Sequence, residues 1–148
     1  MRSEALRVSS DPREFDLDRI HRWLAASYWA GGIPREVVER SIAGSLGFAV
    51  FAGEEQIGFA RVISDGATFA YLCDVIVDEA HRGRGAGKAL MTAIVAHPKL
   101  QGLRRWMLAT RDAHGLYARF GFHPVAKPDR FMEIVDPDVY RRAPGRAR

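Results

Sequence analysis

The sequence predicts an α/β domain with layered α+β character, in which one mixed β-sheet of about six or seven strands is flanked by about four helices. Three observations lead to this class. A chain of 148 residues has room for one core but not for two full domains. Segments with helical spacing of apolar residues come first, and a series of predicted antiparallel strands follows them. Strand and helix patterns then alternate up to about residue 135, which is typical of helices packed on a mixed sheet.

The first third of the chain carries the patterns of one short strand and two helices. Residues 5–9 fit the strand, and either Asp16 or Asp18 can cap the first helix. Pro34 suits the first position of the second helix, which runs toward Gly44. The stripe expected to bury the first helix has helical spacing and consists of Leu17, Ile20, Leu24 and Tyr28.

The spacing of apolar residues then changes from helical to alternating. Strands are predicted over 48–51 and 57–62, and Asp65-Gly66 indicates a hairpin before a third run, Thr68 to Val77. Because that run is apolar on both faces, we expect a central strand covered on both sides. One face would carry Phe69, Tyr71, Cys73, Val75 and Val77.

The C-terminal half alternates between helix and strand patterns. A glycine-rich turn leads into a helix over about 86–96, and a strand is expected over 106–110. A second helix over 113–120 ends at Gly121, with Asp112 as its expected cap. The last predicted strand covers Arg130 to Val135.

The net charge of +4 is concentrated at the end of the chain. Arg141, Arg142, Arg146 and Arg148 have no acidic residue among the last eight positions, and the remaining chain is close to neutral. We therefore expect a domain over 1–140 and a basic tail over 141–148, which is either a solvated end or an arm that binds phosphate. Neither nucleic acid nor a membrane is expected as a partner.

Several classes of protein are disfavoured by what the sequence lacks. No apolar run reaches the ~20 residues of a membrane helix, and the polar start resembles no signal peptide, so a cytoplasmic protein is expected. Cys73 is the lone cysteine, which excludes an internal disulfide. No Cys/His group has the spacing of a zinc site, and we expect no metal.

The segment from Asp74 to Leu90 is the most informative part of the chain. Three alternating glycines follow a buried strand and precede a helix, so unpaired N–H groups and the positive end of the helix dipole converge on one point. Such a point binds anions, most naturally phosphate. The segment matches neither of two common phosphate-binding motifs. A nucleotide-triphosphate loop would need a glycine in place of Arg82 and a hydroxyl residue in place of Ala89, and a dinucleotide loop would need a glycine in place of Lys88.

Two motifs resemble those of the GNAT superfamily of acetyl-CoA-dependent N-acetyltransferases. The pattern R-x-x-G-x-G, Arg82 to Gly87, follows a V-x-V strand and resembles the family's pyrophosphate loop. Residues 113–122 resemble its A-x-x-L-Y-x-x-x-G-F segment, and the order of elements over 5–135 is similar as well. The sequence is therefore identified as a member of this superfamily.

The resemblance implies a GNAT-like sheet that is splayed at its centre, where the strand bearing Val75 parts from the strand at 106–110. It implies transfer of an acetyl group from acetyl-CoA to a primary amine by direct attack in a ternary complex. The main chain of the V-x-V strand would pair with the pantetheine arm, and the loop amides would hold the pyrophosphate. The implied cofactor residues are Val75, Ile76, Val77, Arg82, Gly83, Arg84, Gly85, Ala86, Gly87, Lys88, Thr110, His114 and Tyr117.

By the same resemblance, Tyr117 is the expected general acid for the departing thiolate. The base is open. Asp74 would serve if the strand bulge rotates it, whereas Glu133 or His114 would act through water. Tyr71 and Cys73 stand where several members place a base. An amine of low pKa would need no strong base.

The acceptor is expected to be a small-molecule or peptide amine. Tyr28 and Trp29 are predicted at the rim of its cleft, together with Tyr71 and Cys73, although Tyr28 could instead pack its helix onto the sheet. Aromatic groups attract ammonium ions. Two alternatives are a non-catalytic acyl-CoA-binding sensor on the same fold and a small basic nucleic-acid module. A homodimer is possible in this family.

Overall fold

A computed structural model describes residues 5–142, which form one five-stranded sheet with the strands in chain order. The strands β1 to β4 are antiparallel neighbours, and β5 runs parallel to β4. The mixed α/β class and the four helices are as predicted, while the described residues hold fewer strands than expected. The strands are β1 (Leu6–Ser9), β2 (Leu46–Ala52), β3 (Glu55–Ser64), β4 (Phe69–Val77) and β5 (Arg105–Leu108). The helices are α1 (Leu17–Ala25), α2 (Arg35–Ala43), α3 (Ala86–Ala96) and α4 (His114–Ala118).

The two N-terminal helices begin near the predicted positions. The Asp16 carboxylate caps α1 by accepting a hydrogen bond from the Arg19 N–H at 3.1 Å. Pro34 is the N-cap of α2, one position before the first helical position that the sequence predicted for it. The stripe of α1 ends at Leu24, because the helix stops at Ala25 and leaves Tyr28 beyond its end with 60% of its surface exposed.

The sheet has an apolar cluster on each face. Alternate residues of β2 belong to different clusters, as a strand covered on both sides requires. Helix α3 packs on one face, where the cluster includes Phe48, Val50, Leu72, Leu90 and Ile94. Helices α1 and α2 pack on the other, where it includes Ile20, Leu24, Val38, Phe51 and Phe59.

A β-bulge in β4 changes which residues share a face. Arg61 is opposite Cys73 and Phe59 is opposite Ile76, so two residues of β4, Asp74 and Val75, oppose one residue of β3. Asp74 has a left-handed φ of 54°. The extra residue shifts the alternation by one position.

The prediction that Tyr71, Cys73, Val75 and Val77 share one face is therefore wrong. Val75 and Val77 pack in the α3 cluster together with Leu72, and Ile76 packs on the α1 and α2 side. The prediction of a strand fully covered on both sides is also wrong, since Tyr71 and Cys73 remain partly exposed.

The hairpin predicted at Asp65-Gly66 joins β3 to β4 through four residues, 65–68. One carboxylate oxygen of Asp65 accepts hydrogen bonds from the N–H groups of Ala67 and Thr68, at 2.9 and 2.7 Å. Gly66 has a φ of 74°, a conformation that glycine adopts without a steric penalty. The turn is thus stabilised by the same two residues from which it was predicted.

The predicted strand from Arg130 to Val135 is absent. Pro128–Arg130 forms a 3₁₀ turn, and residues 131–135 pair with no strand in the described part of the chain. Met132 is 97% exposed, Ile134 86% and Val135 62%. The strand pattern is present in the sequence, but the segment pairs with no strand edge among residues 5–142.

The predicted basic tail begins with two arginines that have acidic partners. Arg141 pairs with Asp138 at 2.8 Å and Arg142 with Asp136 at 2.5 Å, so the expectation of unpaired charge is corrected for these two residues. Arg146 and Arg148 lie outside the described residues. Within residues 5–142, no helix is long and apolar enough to cross a membrane.

Candidate active site

The two parallel strands at the centre of the site separate along their length. β4 pairs with β5 from Phe69 to Leu72, where β5 ends at Leu108, but β4 continues for five more residues. A cavity of about 350 Å³ opens beyond the last pair. The sheet is therefore splayed at the position where the resemblance implied it.

The cavity brings together predicted site residues from three separate parts of the chain. They come from the segment after α1, from β4, and from the region between β5 and the end of α4. Tyr117, from α4, lies on the β5 side, and the bulge residue Asp74 lies on the β4 side. The predicted site residues that line the cavity are Tyr28, Trp29, Tyr71, Cys73, Asp74, Val75, Thr110 and Tyr117.

Asp74 uses both of its carboxylate oxygens. Oδ2 accepts a hydrogen bond from Nε of Arg61 at 2.6 Å, and Oδ1 accepts one from Nε1 of Trp29 at 2.9 Å. The side chains of Arg61 and Asp74 are 16% and 11% exposed, which makes this a mostly buried ion pair. Asp74 therefore fixes Trp29 against the bulge, and neither of its oxygens is without a donor.

Tyr117 is held in a buried position. It projects from α4, and its ring packs edge-on against Phe122 with 6.1 Å between the ring centroids. Burial raises the pKa of Tyr117 above its usual value, and the nearby carboxylate of Asp112 adds to the effect. At neutral pH the phenol is therefore protonated, and it can donate a hydrogen bond into the cavity.

The residues at the other predicted base positions are protonated at neutral pH. Burial raises the pKa of Cys73 to about 11, against the opposing effect of Arg61. Burial likewise raises the pKa of Tyr71. Neither side chain can accept a proton from an amine under these conditions.

The glycine-rich loop has the conformation that its sequence suggests. Gly83 and Gly85 have φ values of 80° and 83°, and no atom lies within 4 Å of the place where a Cβ would stand. Helix α3 begins at Ala86 with Gly85 as its N-cap, and no side chain caps it. The first N–H groups of α3 therefore have no side-chain acceptor, which is the arrangement that binds anions.

The third glycine of the loop has a different role. A Cβ on Gly87 would come within 3.3 Å of Leu116 in α4. The absence of a side chain at this position lets α3 and α4 approach closely. It thereby connects the loop to the helix that carries Tyr117.

Thr110 closes the turn before α4. Its Oγ1 accepts a hydrogen bond from the Ala113 N–H at 3.0 Å. The prediction that Asp112 caps this helix is wrong, since the N-cap residue is Ala113 and the Ala113 N–H is bonded to Thr110. Asp112 instead lines the cavity with an exposed carboxylate.

Two predicted residues lie outside this cavity. Glu133 is exposed on the unpaired segment after Arg130. His114 is exposed and lines a neighbouring cavity of about 370 Å³, which Thr110 and Tyr117 also line. Among the described residues, no group of three or more His, Cys, Asp or Glu side chains could hold a metal ion.

An aromatic pair forms the rim of the cavity. Tyr28 and Trp29 pack edge to face with 5.0 Å between centroids. The guanidinium of Arg111 lies 4.0 Å from the centroid of Tyr28. Tyr28 thus stands at the rim and does not pack α1 onto the sheet. Sequence reasoning missed Arg111, although its position directly before Asp112 in a loop near Tyr117 is a signal that could have identified it.

Comparison with known proteins agrees with this geometry. The model of the acetyltransferase (GNAT) family matches residues 13–122. A protein of Gibberella zeae assigned as an acetyltransferase is 30% identical in an alignment of 135 residues, and the match covers 76% of this chain and 75% of the relative.

Solved structures extend the comparison. One from Xanthomonas campestris, assigned to the GNAT family, is 52% identical with a TM-score of 0.91 and covers 95% of this chain and 100% of its own. A probable acetyltransferase from Staphylococcus aureus has the same fold, with a TM-score of 0.71 at 23% identity over 89% of this chain and 99% of its own. The chain belongs to the GNAT family of acetyltransferases.

Proposed function

We propose that this protein transfers the acetyl group of acetyl-CoA to a primary amine by direct attack in a ternary complex. The observation that carries the proposal is the cavity between β4 and β5. Tyr117 lines it, and so does Trp29, which is hydrogen-bonded to Asp74. A thioester and an amine could therefore meet in a cavity that contains both a proton donor and an aromatic ring.

The residues of the loop fit a coenzyme A diphosphate. Gly83 and Gly85 leave open space in front of the backbone, and the start of α3 has no side-chain cap. The amides of residues 83–88 are proposed to hold the diphosphate, and Arg82 adds positive charge. The main chain of β4 from Val75 to Val77 is proposed to pair with the pantetheine arm. Thr110 and His114 would contact the cofactor beside Tyr117.

Tyr117 is proposed to act on the leaving sulfur. The co-substrate supplies an acetyl thioester, whose C–S bond breaks as the amine forms the new C–N bond. With ordinary pKa values of about 10 and 8.5, full proton transfer from tyrosine to a thiolate is uphill by some 2 kcal/mol. Burial raises the pKa of Tyr117 further. This favours a hydrogen bond from Tyr117 to the sulfur over complete transfer of its proton.

The acceptor is proposed to lose one proton to solvent before it attacks, and the second proton, released as its nitrogen forms the amide, balances the departing thiolate. Asp74 has a donor on each oxygen, and Cys73 and Tyr71 hold their protons at neutral pH. An alkyl amine with a pKa near 10.4 is only about one part in 2,500 neutral at pH 7. An amine of lower pKa would therefore react best.

The rim supplies attraction for the protonated form of the acceptor, before it loses its proton and reacts. Asp112 and Trp29 both line the cavity, and a carboxylate and an aromatic ring can each attract an ammonium group. These features support a small-molecule amine or the amino terminus of a peptide as the acceptor.

The proposal is tested by incubating the protein with acetyl-CoA and a panel of amines, amino acids, polyamines, aminoglycosides and peptides. Acetylated product and coenzyme A should be measured by mass spectrometry, because a thiol reagent would also report Cys73. We expect both products in equal amounts with at least one acceptor. Binding of acetyl-CoA without turnover of any amine would support the sensor instead.

A further inference from the structure

Arg61 is a mostly buried charge in β3 that does not line the cavity and is not among the residues predicted for the site. Among the described residues, Asp74 is its one ion-pair partner. A buried pair of this kind gains little stability over two apolar side chains of similar size, because both charges lose their contact with water. A role in the neighbouring site accounts better for its presence.

The main chain of Arg61 is fixed beside the cavity. Arg61 and Cys73 are direct partners in the pairing of β3 with β4, and the thiol of Cys73 donates a hydrogen bond to the carbonyl oxygen of Arg61 at 3.6 Å. From this fixed position the guanidinium reaches the next residue of β4, where Nε donates to Oδ2 of Asp74 at 2.6 Å. Arg61 therefore contacts β4 both through its main chain and through its side chain.

The bulge itself does not depend on the ion pair. Main-chain pairing continues on both sides of it, with Phe59 opposite Ile76 and Arg61 opposite Cys73. Asp74 has a φ of 54° and is the one described non-glycine residue with a positive φ, a conformation that aspartate tolerates better than most residues. What the guanidinium adds is a fixed direction for the carboxylate of Asp74.

Trp29 depends on that direction. It lies in the segment between α1 and α2, is 45% exposed, and donates from Nε1 to Oδ1 of Asp74 at 2.9 Å. Its ring also packs against Tyr28, which is itself 60% exposed. A hydrogen bond to a carboxylate is strong only while the charge and the direction of the acceptor are kept. A carboxylate that turned away would therefore release the indole.

We propose that Arg61 is a positioning residue for the acceptor. By holding one oxygen of Asp74 it orients the other toward Trp29, and it thereby fixes the indole that lines the cavity. Arg61 itself touches neither the acceptor nor the cofactor. Asp74 is then a link between an arginine and an indole, and the inference rests on the proposed function for what the cavity binds.

The first test measures kinetics with the best acceptor of the panel. Arg61→Gln should raise the KM for the amine about tenfold or more, because the bond from Trp29 to an oriented carboxylate is lost, and should leave the KM for acetyl-CoA unchanged. Arg61→Lys keeps the charge beside Asp74 and should show a smaller rise. An unchanged amine KM in Arg61→Gln would overturn the proposal.

The control for this test is Arg19→Gln. Arg19 is also largely buried, with its side chain 25% exposed, and donates hydrogen bonds to Glu55 and to the carbonyl oxygen of Gln56 near the start of α1. Its loss should lower the melting temperature and leave the amine KM unchanged. Equal rises of the amine KM in Arg19→Gln and Arg61→Gln would show a general loss of structure and would contradict a specific role for Arg61.

A second variant covers the case in which Arg61→Gln does not fold. Arg61→Met combined with Asp74→Asn removes both charges, so no buried charge is left without a partner. Asparagine also tolerates the left-handed backbone of this position. Its amide oxygen has no arginine to orient it, and the amine KM should again rise. The original amine KM in this double variant would refute the positioning role.

A double-mutant cycle tests whether Arg61 acts through Trp29. In a Trp29→Phe background the bond to Asp74 is already absent, so Arg61→Gln should raise the amine KM by less than about twofold more. Residues that act independently multiply their separate effects. A full product of the two effects would show that Arg61 acts by another route and would overturn the proposal.

The last test observes the indole directly and needs no reaction. Trp23→Phe with Trp106→Phe leaves Trp29 as the one tryptophan of the chain, and time-resolved fluorescence anisotropy then reports the motion of its ring. We expect a larger fast component in Arg61→Gln than in the same protein with Arg61 or with Arg61→Lys. An equally restrained indole in Arg61→Gln would refute the role of Arg61. A larger fast component in a protein that acetylates no amine would refute the proposed function and support Arg61 as the residue that positions Trp29.

Discussion

Trp29 donates a hydrogen bond from its indole nitrogen to the carboxylate of Asp74 at 2.9 Å, across 45 positions of the chain. The bond joins the segment after α1 to the bulge of β4. The indole lines the same cavity as Tyr117. Since Arg61 occupies the other oxygen of Asp74, the contact belongs to a three-residue network.

Replacing Trp29 by phenylalanine should weaken acceptor binding. The change keeps an aromatic ring but removes the donor to Asp74, and a hydrogen bond to a charged group contributes about 1.5–3 kcal/mol. We expect the KM for the amine to rise about tenfold or more, with the KM for acetyl-CoA unchanged. Trp23→Phe on α1, whose indole packs on the α1 and α2 cluster, is the matched control. Equal amine KM values in the two variants would contradict the assignment.

Replacing Gly85 by valine should abolish the response to acetyl-CoA. A β-branched residue is strained at a φ of 83°, so the loop cannot keep its conformation. At 100 times its Kd, a ligand stabilises by about 2.7 kcal/mol, or about 5–10 °C at this chain size. The thermal shift should be present in the original protein and lost in the variant.

The control for that experiment is Gly66→Val. Gly66 has a φ of 74° in the β3–β4 hairpin, so the backbone strain is comparable but lies away from the loop. This variant should melt at a lower temperature and keep the shift. If Gly85→Val also kept the shift, the loop would have no part in binding.

The loop and α4 were predictable from sequence because their geometry is local. Gly83 and Gly85 adopt the left-handed backbone that glycine allows, and the helices begin close to their motifs. The sequence could not show which residues of β4 share a face, because the bulge at Asp74 shifts the alternation. The position of the bulge is set by the pairing of β4 with β3, where Arg61 forms an ion pair with Asp74. A pattern along one strand contains no information about this register.

The errors near Tyr117 have a similar cause. Asp112 and Thr110 can both accept a hydrogen bond at the start of a helix, and the sequence does not show which side chain reaches Ala113. Thr110 takes that position, which leaves Asp112 at the cavity. The last predicted strand is wrong for a different reason: residues 131–135 have the pattern of a strand, but the described part of the chain provides no neighbouring strand for them.

Tyr117→Phe should lower kcat about 10- to 100-fold and leave the KM for acetyl-CoA unchanged. This range corresponds to the loss of one hydrogen bond to a developing thiolate. Tyr140→Phe, which alters a tyrosine packed on α1 and α2, should leave kcat unchanged. Because burial raises the pKa of Tyr117, ionisation of this residue should not reduce the rate at any pH below about 10. Equal kcat values for the two variants would remove Tyr117 from the chemistry.

Gly58→Ala should destabilise the domain beside the bulge. The new Cβ would stand 2.7 Å from the carbonyl oxygen of Ile76 and 2.8 Å from a methyl group of Val50. We expect the free energy of unfolding in urea to fall by about 1–3 kcal/mol. Gly115→Ala in α4 meets no atom within 4 Å and should instead raise stability by about 0.5–1 kcal/mol. The same sign in both variants would contradict the close approach at Gly58.

Cys73 should make the protein less stable between pH 9 and pH 11. Its pKa is about 11 in the folded state against an ordinary value of 9.0, so between these values the unfolded chain releases a proton that the folded chain retains. Unfolding is then favoured as the pH rises, by at most about 1.4 kcal/mol per pH unit. Below pH 9 both states hold the proton and the contribution is constant.

Urea unfolding of the original protein and of Cys73→Ser, whose hydroxyl does not ionise, measures this contribution. The difference between their free energies of unfolding should be constant up to pH 9, and above pH 9 the original protein should lose stability relative to the variant. Parallel curves up to pH 11 would show that the thiol is as accessible to water in the folded protein as in the unfolded chain.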